Sequence, residues 1–123
     1  MRSLARRFWN RWLGDRGERA AARYLRKQGM RIIVRGHRTA LGEIDLIARD
    51  GDTLVFVEVR LRRRSRFGDA ADSITAAKER KLVAAAEFFL ARLRDTPRCR
   101  FDAVLLDALD APSIDWRRDV ISA

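Results

Sequence analysis

The chain has 123 residues, with 27 Lys and Arg against 17 Asp and Glu, a net charge of +10 and a single cysteine. That length suits one domain that buries roughly two-thirds of its unfolded-chain surface around one core. One cysteine excludes an intramolecular disulfide and a cysteine-rich zinc site, no stretch approaches the ~20 apolar residues of a transmembrane helix, and a cytoplasmic setting is expected.

Residues 1–14 interleave Leu4, Phe8, Trp9, Trp12 and Leu13 with Arg and lack the apolar run of a signal peptide. They read either as a terminal extension or as an amphipathic helix for an anionic surface, a nucleic acid or a partner. Residues 15–123 read as one α/β domain. Asp15 followed three residues later by Glu18 has the pattern of a capping box, opening a helix to about Gln28 with Gly29 as its stop. Ala21, Ala22 and Leu25 share the face of Glu18, which is either a cap or an active-site acid. Arg31 to Val34 is a short strand, followed by a loop in which His37 reads as a surface turn residue before a metal ligand.

The next stretch, GEIDLIARDGDTLVFVEVR from Gly42 to Arg60, is a hairpin pattern carrying carboxylates where apolar side chains are expected. With Gly51 and Asp52 as the loop, Asp50 pairs with Thr53, and counting outward sets Asp45 across from Glu58 on one face. Two facing acids among Val, Leu, Ile and Phe repel each other and lose solvation, so one takes a proton or both share a cation. A hard divalent ion is the natural answer.

After Arg60 the segment LRRRSRFGDAAD has no clear period and reads as a loop, its Arg62, Arg63, Arg64 and Arg66 clustered beside the acidic pair. A second helix is predicted from Ser73 or Thr75 to about Arg94, with Ala77, Lys78, Leu82, Ala85, Ala86, Phe89 and Leu93 in one stripe. Lys78, at the N-terminal end of that stripe, is either a snorkelling surface lysine or the cation that the hairpin's acids lack. Arg100 to Leu106 is the fourth strand, with Cys99 a small residue at its edge, and Pro112 precedes a short terminal segment with Ile114 and Trp116. The excess of Arg, whose planar fork suits phosphate oxygens, points to a polyanionic partner as against plain solvated charge.

This order, αβββαβ with a mixed four-stranded sheet flanked by helices, resembles the core of the PD-(D/E)XK nucleases, a superfamily that includes restriction endonucleases and Holliday-junction resolvases. The resemblance rests on Glu18 in the first helix, Asp45 in the second strand and Glu58-Val59-Arg60 in the third. More closely, GERAAARYL, the hairpin, FGDA, the Lys78 helix and CRFDAV are similar to the YraN family of bacterial proteins, over roughly residues 15 to 107. The resemblance implies a restriction-endonuclease-like fold, also described as tRNA-endonuclease-like. It implies a Mg²⁺ (or Mn²⁺) site built from Asp45, Glu58 and the carbonyl of Val59, with Glu18 as a further acid and Arg60 and Lys78 offsetting transition-state charge. The implied activity is hydrolysis of DNA, in preference to RNA, by a cytoplasmic endonuclease that acts on branched or structured substrates and works as a homodimer.

Arg60 departs from the superfamily pattern, which has Lys at that place. Arginine stays charged and cannot serve as the base that activates water. Two other classes stay open: a nucleic-acid-binding domain of the same fold that does not cut, and a small interaction protein using its Trp/Arg terminus.

Overall fold

The computed structural model describes residues 2–61, 74–107 and 113–121, with side chains from residue 14 onward. In chain order the elements are α1 (Arg2–Lys27), β1 (Arg31–Thr39), β2 (Gly42–Asp50), β3 (Thr53–Leu61), α2 (Ala76–Leu90), β4 (Arg98–Leu106) and β5 (Ile114–Arg117). The strands form one mixed sheet in the order β1-β2-β3-β4-β5, antiparallel throughout except for the parallel pair β3 and β4. The α/β class and the single sheet agree with expectation. The strand count is corrected from four to five, because the terminal segment at Ile114 pairs antiparallel with β4 and does not stay a free tail.

Neither proline nor a β-branched residue interrupts residues 2–27, so one helix runs through both Gly14 and Gly17. The expected capping box at Asp15 does not form. Its chain neighbours are already helical, and its carboxylate instead meets Arg19 one turn on at 3.2 Å. Gly29 does end the helix: its φ of +94° lets the Met30 amide donate back to the Leu25 carbonyl at 3.0 Å.

The strand expected at Arg31–Val34 continues through the expected loop to Thr39, with a register shift between Ile32 and Val34 that leaves Ile33 exposed. His37 is therefore a strand residue, its ring edge-on to Phe89 at 5.4 Å. Its Nε2 is buried without a hydrogen-bond partner. The second helix is shorter than predicted and stops at Leu90, leaving Leu93 exposed beyond its end.

Alternation along the strands sorts the core onto the two faces of the sheet. Leu46, Ala48, Val55, Val57, Val104 and Leu106 meet Ala21, Ala22 and Leu25 of α1. Ile47, Leu54 and Phe56 meet Leu82, Ala85 and Ala86 of α2 on the other face. The sheet is thus covered by one helix on each side, as the reading of a sheet flanked by helices expects.

The middle of β4 carries a polar hub that sequence pattern did not reveal. Asp102 is only 1% exposed, yet its carboxylate accepts from Arg100 Nε at 3.0 Å, from the Trp116 indole at 3.0 Å and from the Asp119 amide at 3.0 Å. Arg100 also reaches Asp50 at 3.0 Å, which ties the β2–β3 turn to β4. Buried charge is tolerated here because every oxygen is answered. Asp102→Ala is expected to lower stability by about 3 kcal/mol in urea unfolding, since it removes the acceptor of the Trp116 indole and the Asp119 amide and leaves Arg100 only Asp50. Asp102→Asn, which keeps an acceptor, is expected to lose less.

Candidate active site

The β2–β3 hairpin closes as its sequence requires. Gly51 takes φ +59° at the first loop position, Asp50 pairs with Thr53, and the ladder then runs regularly to Leu46 opposite Val57. One step further on, where Asp45 and Glu58 come next, the ladder stops. There Asp45 turns its carboxylate to the Val59 backbone amide and accepts its hydrogen bond at 2.7 Å. β2 rolls over at this point, which corrects the simple alternation expected for it. Ile44 joins the α2-side core with Ile47, while Leu46 and Ala48 face α1.

Asp45, Glu58 and Val59 line an open cavity of about 470 Å³, together with the β1–β2 turn, Lys78, Lys81 and Leu82. Lys78 lies in the first turn of α2, where its amide donates to the capping hydroxyl of Thr75 at 3.2 Å. Its ammonium forms an ion pair with Glu58. Of the two readings of this lysine, the one directed at the acids is realised.

Two close approaches set this geometry. Thr39 Oγ1 donates to the Gly42 carbonyl at 2.9 Å and accepts from the Leu41 and Gly42 amides at 3.1 Å each, which fixes the β1–β2 turn. Gly42 then lies so near α2 that a Cβ on it would fall 2.5 Å from the Lys81 carbonyl oxygen. Neither Lys81 nor this turn stood out in the sequence, because a glycine's need for space depends on a helix that arrives from elsewhere in the chain.

Burial, followed by the charge of Glu58, pushes the Asp45 carboxyl from its ordinary value up to about 7. The Val59 hydrogen bond and Lys78 oppose that rise without cancelling it. Glu18 stands on the α1 side, its carboxylate near Gly36, which takes a φ of +68°. Burial raises its pKa too, against the lowering effect of Arg38. Glu18 does not line the cavity, although its charge is felt at Asp45. Arg60 is half-buried in β3, two residues beyond Glu58, in register with Leu105. Arg62, Arg63, Arg64 and Arg66 lie outside the described residues.

Glu43, Asp45 and Glu58 line the cavity together with Val59. Among the described residues no three His, Cys, Asp or Glu side chains converge to hold a metal. One His and one Cys in the sequence exclude a nitrogen- or sulfur-rich cage. Carboxylate oxygens fit Mg²⁺, which takes one or two carboxylates and keeps most of its waters.

Residues 17–106 match the profile of the family described as "Uncharacterised protein family UPF0102". The chain belongs to this family. UPF0102 is the YraN family to which the sequence motifs pointed. Relatives span bacterial groups. A UPF0102 protein of Methylobacillus flagellatus is 53% identical over 111 residues, covering 90% of this chain and 97% of its own. One of Nitrosospira multiformis is 50% identical over 86% of this chain and 89% of its own, and one of Symbiobacterium thermophilum 52% over 77% and 81%. The UPF0102 match takes in both acids, Lys78 and Gly42.

Two outcomes follow from the site. The folded-state pKa of Asp45 lies above the unfolded value, so the native state binds the extra proton between about pH 4 and pH 7. Stability from this group is full below pH 4, falls as pH rises and levels off above about pH 7. Asp45→Asn, which cannot ionise but keeps an oxygen for the Val59 amide, should match the wild type at pH 4 in urea unfolding. At pH 8 it should exceed the wild type by up to about 4 kcal/mol. Gly42→Ala should cost about 1–3 kcal/mol by the same measurement, because its methyl forces α2 off β2.

Proposed function

We propose that this protein is a metal-dependent phosphodiesterase acting on nucleic acid, with DNA as its first candidate substrate. The observation that carries this reading is the pair Asp45 and Glu58: two carboxylates brought to one open cavity, Glu58 paired with the Lys78 ammonium and the Asp45 carboxyl with its pKa raised to about 7. Two neighbouring buried carboxylates at a surface opening, one of them with a strongly raised pKa, support a cation site.

Asp45, Glu58 and the Val59 carbonyl would hold Mg²⁺ or Mn²⁺. When bound, such an ion lowers the pKa of a coordinated water and polarises a phosphoryl oxygen. The chain's own residues supply the rest. The Val59 amide fixes Asp45, and Leu82 walls one side of the cavity. Lys78, half-exposed at the cavity, is within its reach for a phosphate oxygen. Arg60 cannot accept a proton, so its contribution is electrostatic. The excess of arginine supplies affinity for a phosphate backbone, and the restriction-endonuclease-like arrangement of Glu18, Asp45 and Glu58 supports the reaction class.

Arginine at position 60 also favours a second reading, a domain that binds nucleic acid without cutting it. Incubation with duplex, branched and single-stranded DNA in Mg²⁺ and in Mn²⁺ separates the two. Hydrolysis by the wild type that falls at least about 100-fold in Asp45→Asn, with binding retained, is the expected result. Binding that weakens steeply with salt but never yields product would establish the non-cutting reading. Binding indifferent to salt would sink both.

A further inference from the structure

The Lys78–Glu58 pair is lopsided. The Glu58 side chain is 6% exposed and that of Lys78 46%, so the acid is fixed in the protein while the base can leave. The ammonium rests on Oε1 of Glu58, an oxygen of the very carboxylate that a metal would need. An ammonium and a divalent cation in contact with one carboxylate repel each other at a few ångströms, so the two compete for Glu58.

The stem of Lys78 allows the exchange. Its backbone is pinned by the Thr75 cap, so α2 need not move, and four methylenes let the ammonium swing from Glu58 to the cavity mouth. Lys81 offers a comparison on the next turn. It lines the same cavity and carries the same charge, yet among the described residues it forms no ion pair with either acid.

We propose that Lys78 is a tethered competitor for the metal: it occupies Glu58 when no divalent cation is bound and yields when one arrives, so that it sets the metal affinity of the site. This rests on the metal-dependent reading above. In the metal-free protein the lysine keeps the buried acid paired, which preserves the hairpin end. When the cation takes over that task, the released ammonium stands at the mouth of the cavity.

The test is calorimetric titration of Mg²⁺ and Mn²⁺ into the wild type, Lys78→Met and Lys81→Met, with melting temperatures in chelator and in saturating metal. Lys78→Met is expected to bind metal on the order of tenfold tighter or more, and Lys81→Met within about threefold of wild type. Metal-free Lys78→Met should melt below the wild type, and saturating Mg²⁺ should close the gap. Equal or weaker binding by Lys78→Met, or an equal gain in Lys81→Met, would overturn the competition while leaving the metal site standing. Failure of all three proteins to bind metal would overturn the metal reading itself, and this inference with it.

A second measurement needs no substitution at Lys78. The chain has three lysines, Lys27, Lys78 and Lys81. With ¹³C-dimethylated lysines, the Lys78 resonance should shift on saturation with Mg²⁺ while that of Lys27 stays in place. A Lys78 signal unmoved in metal-bound protein would refute displacement.

Discussion

Two carboxylates lining one open cavity, one of them paired with the Lys78 ammonium, set the terms for the rest of this structure. Asp45 and Glu58 come from adjacent strands and Lys78 from a helix on one face of the sheet, so three separate elements must arrive in register for the charges to meet. Coulomb attraction does not assemble them, because removing charged groups from water costs more than one ion pair returns. The apolar contacts of Ile47, Leu54 and Phe56 with Leu82, Ala85 and Ala86 hold α2 on the sheet, and the charged trio is carried along.

What permits the close seating is the absence of a side chain at one place: Gly42 lets the β1–β2 turn lie against the Lys81 carbonyl. Asp102, by contrast, is a buried acid with its partners complete: Arg100, Trp116 and the Asp119 amide answer its oxygens. The two kinds of buried acid mark different duties. Full satisfaction ties β5 and the C-terminal segment to β4, while Asp45 takes the Val59 amide and keeps a raised pKa.

The hairpin and its acids were legible in the sequence because a tight turn fixes register, and register fixes which residues come next to one another. Asp50-Gly51-Asp52 contained enough to bring Asp45 and Glu58 together, and Gly29 contained the end of α1. Lys78 was legible only as an alternative, since nothing local says where a helix will dock. The Asp15 cap misled because a good N-terminal signal yields when residues before it are also helix-competent. β5 escaped because four residues beyond a proline carry too little period to identify, and its pairing depends on Trp116 finding an acid that lies 14 positions earlier.

The order of connections has a kinetic consequence. β1, β2 and β3 are joined by two tight turns and can pair from neighbouring contacts, whereas α2 and β4 reach the sheet only through a long crossover. Both acids belong to the part that closes early, and their ammonium to the part that closes late. In a chain with its hairpin formed and α2 still undocked, Asp45 and Glu58 remain in water at little expense. Docking α2 expels that water, so the electrostatic cost of the site falls on the last step of assembly. The first turn of α2 is accordingly a weak seam of the folded protein, opening more readily than the strands beneath it and renewing contact between solvent and the acids each time it does.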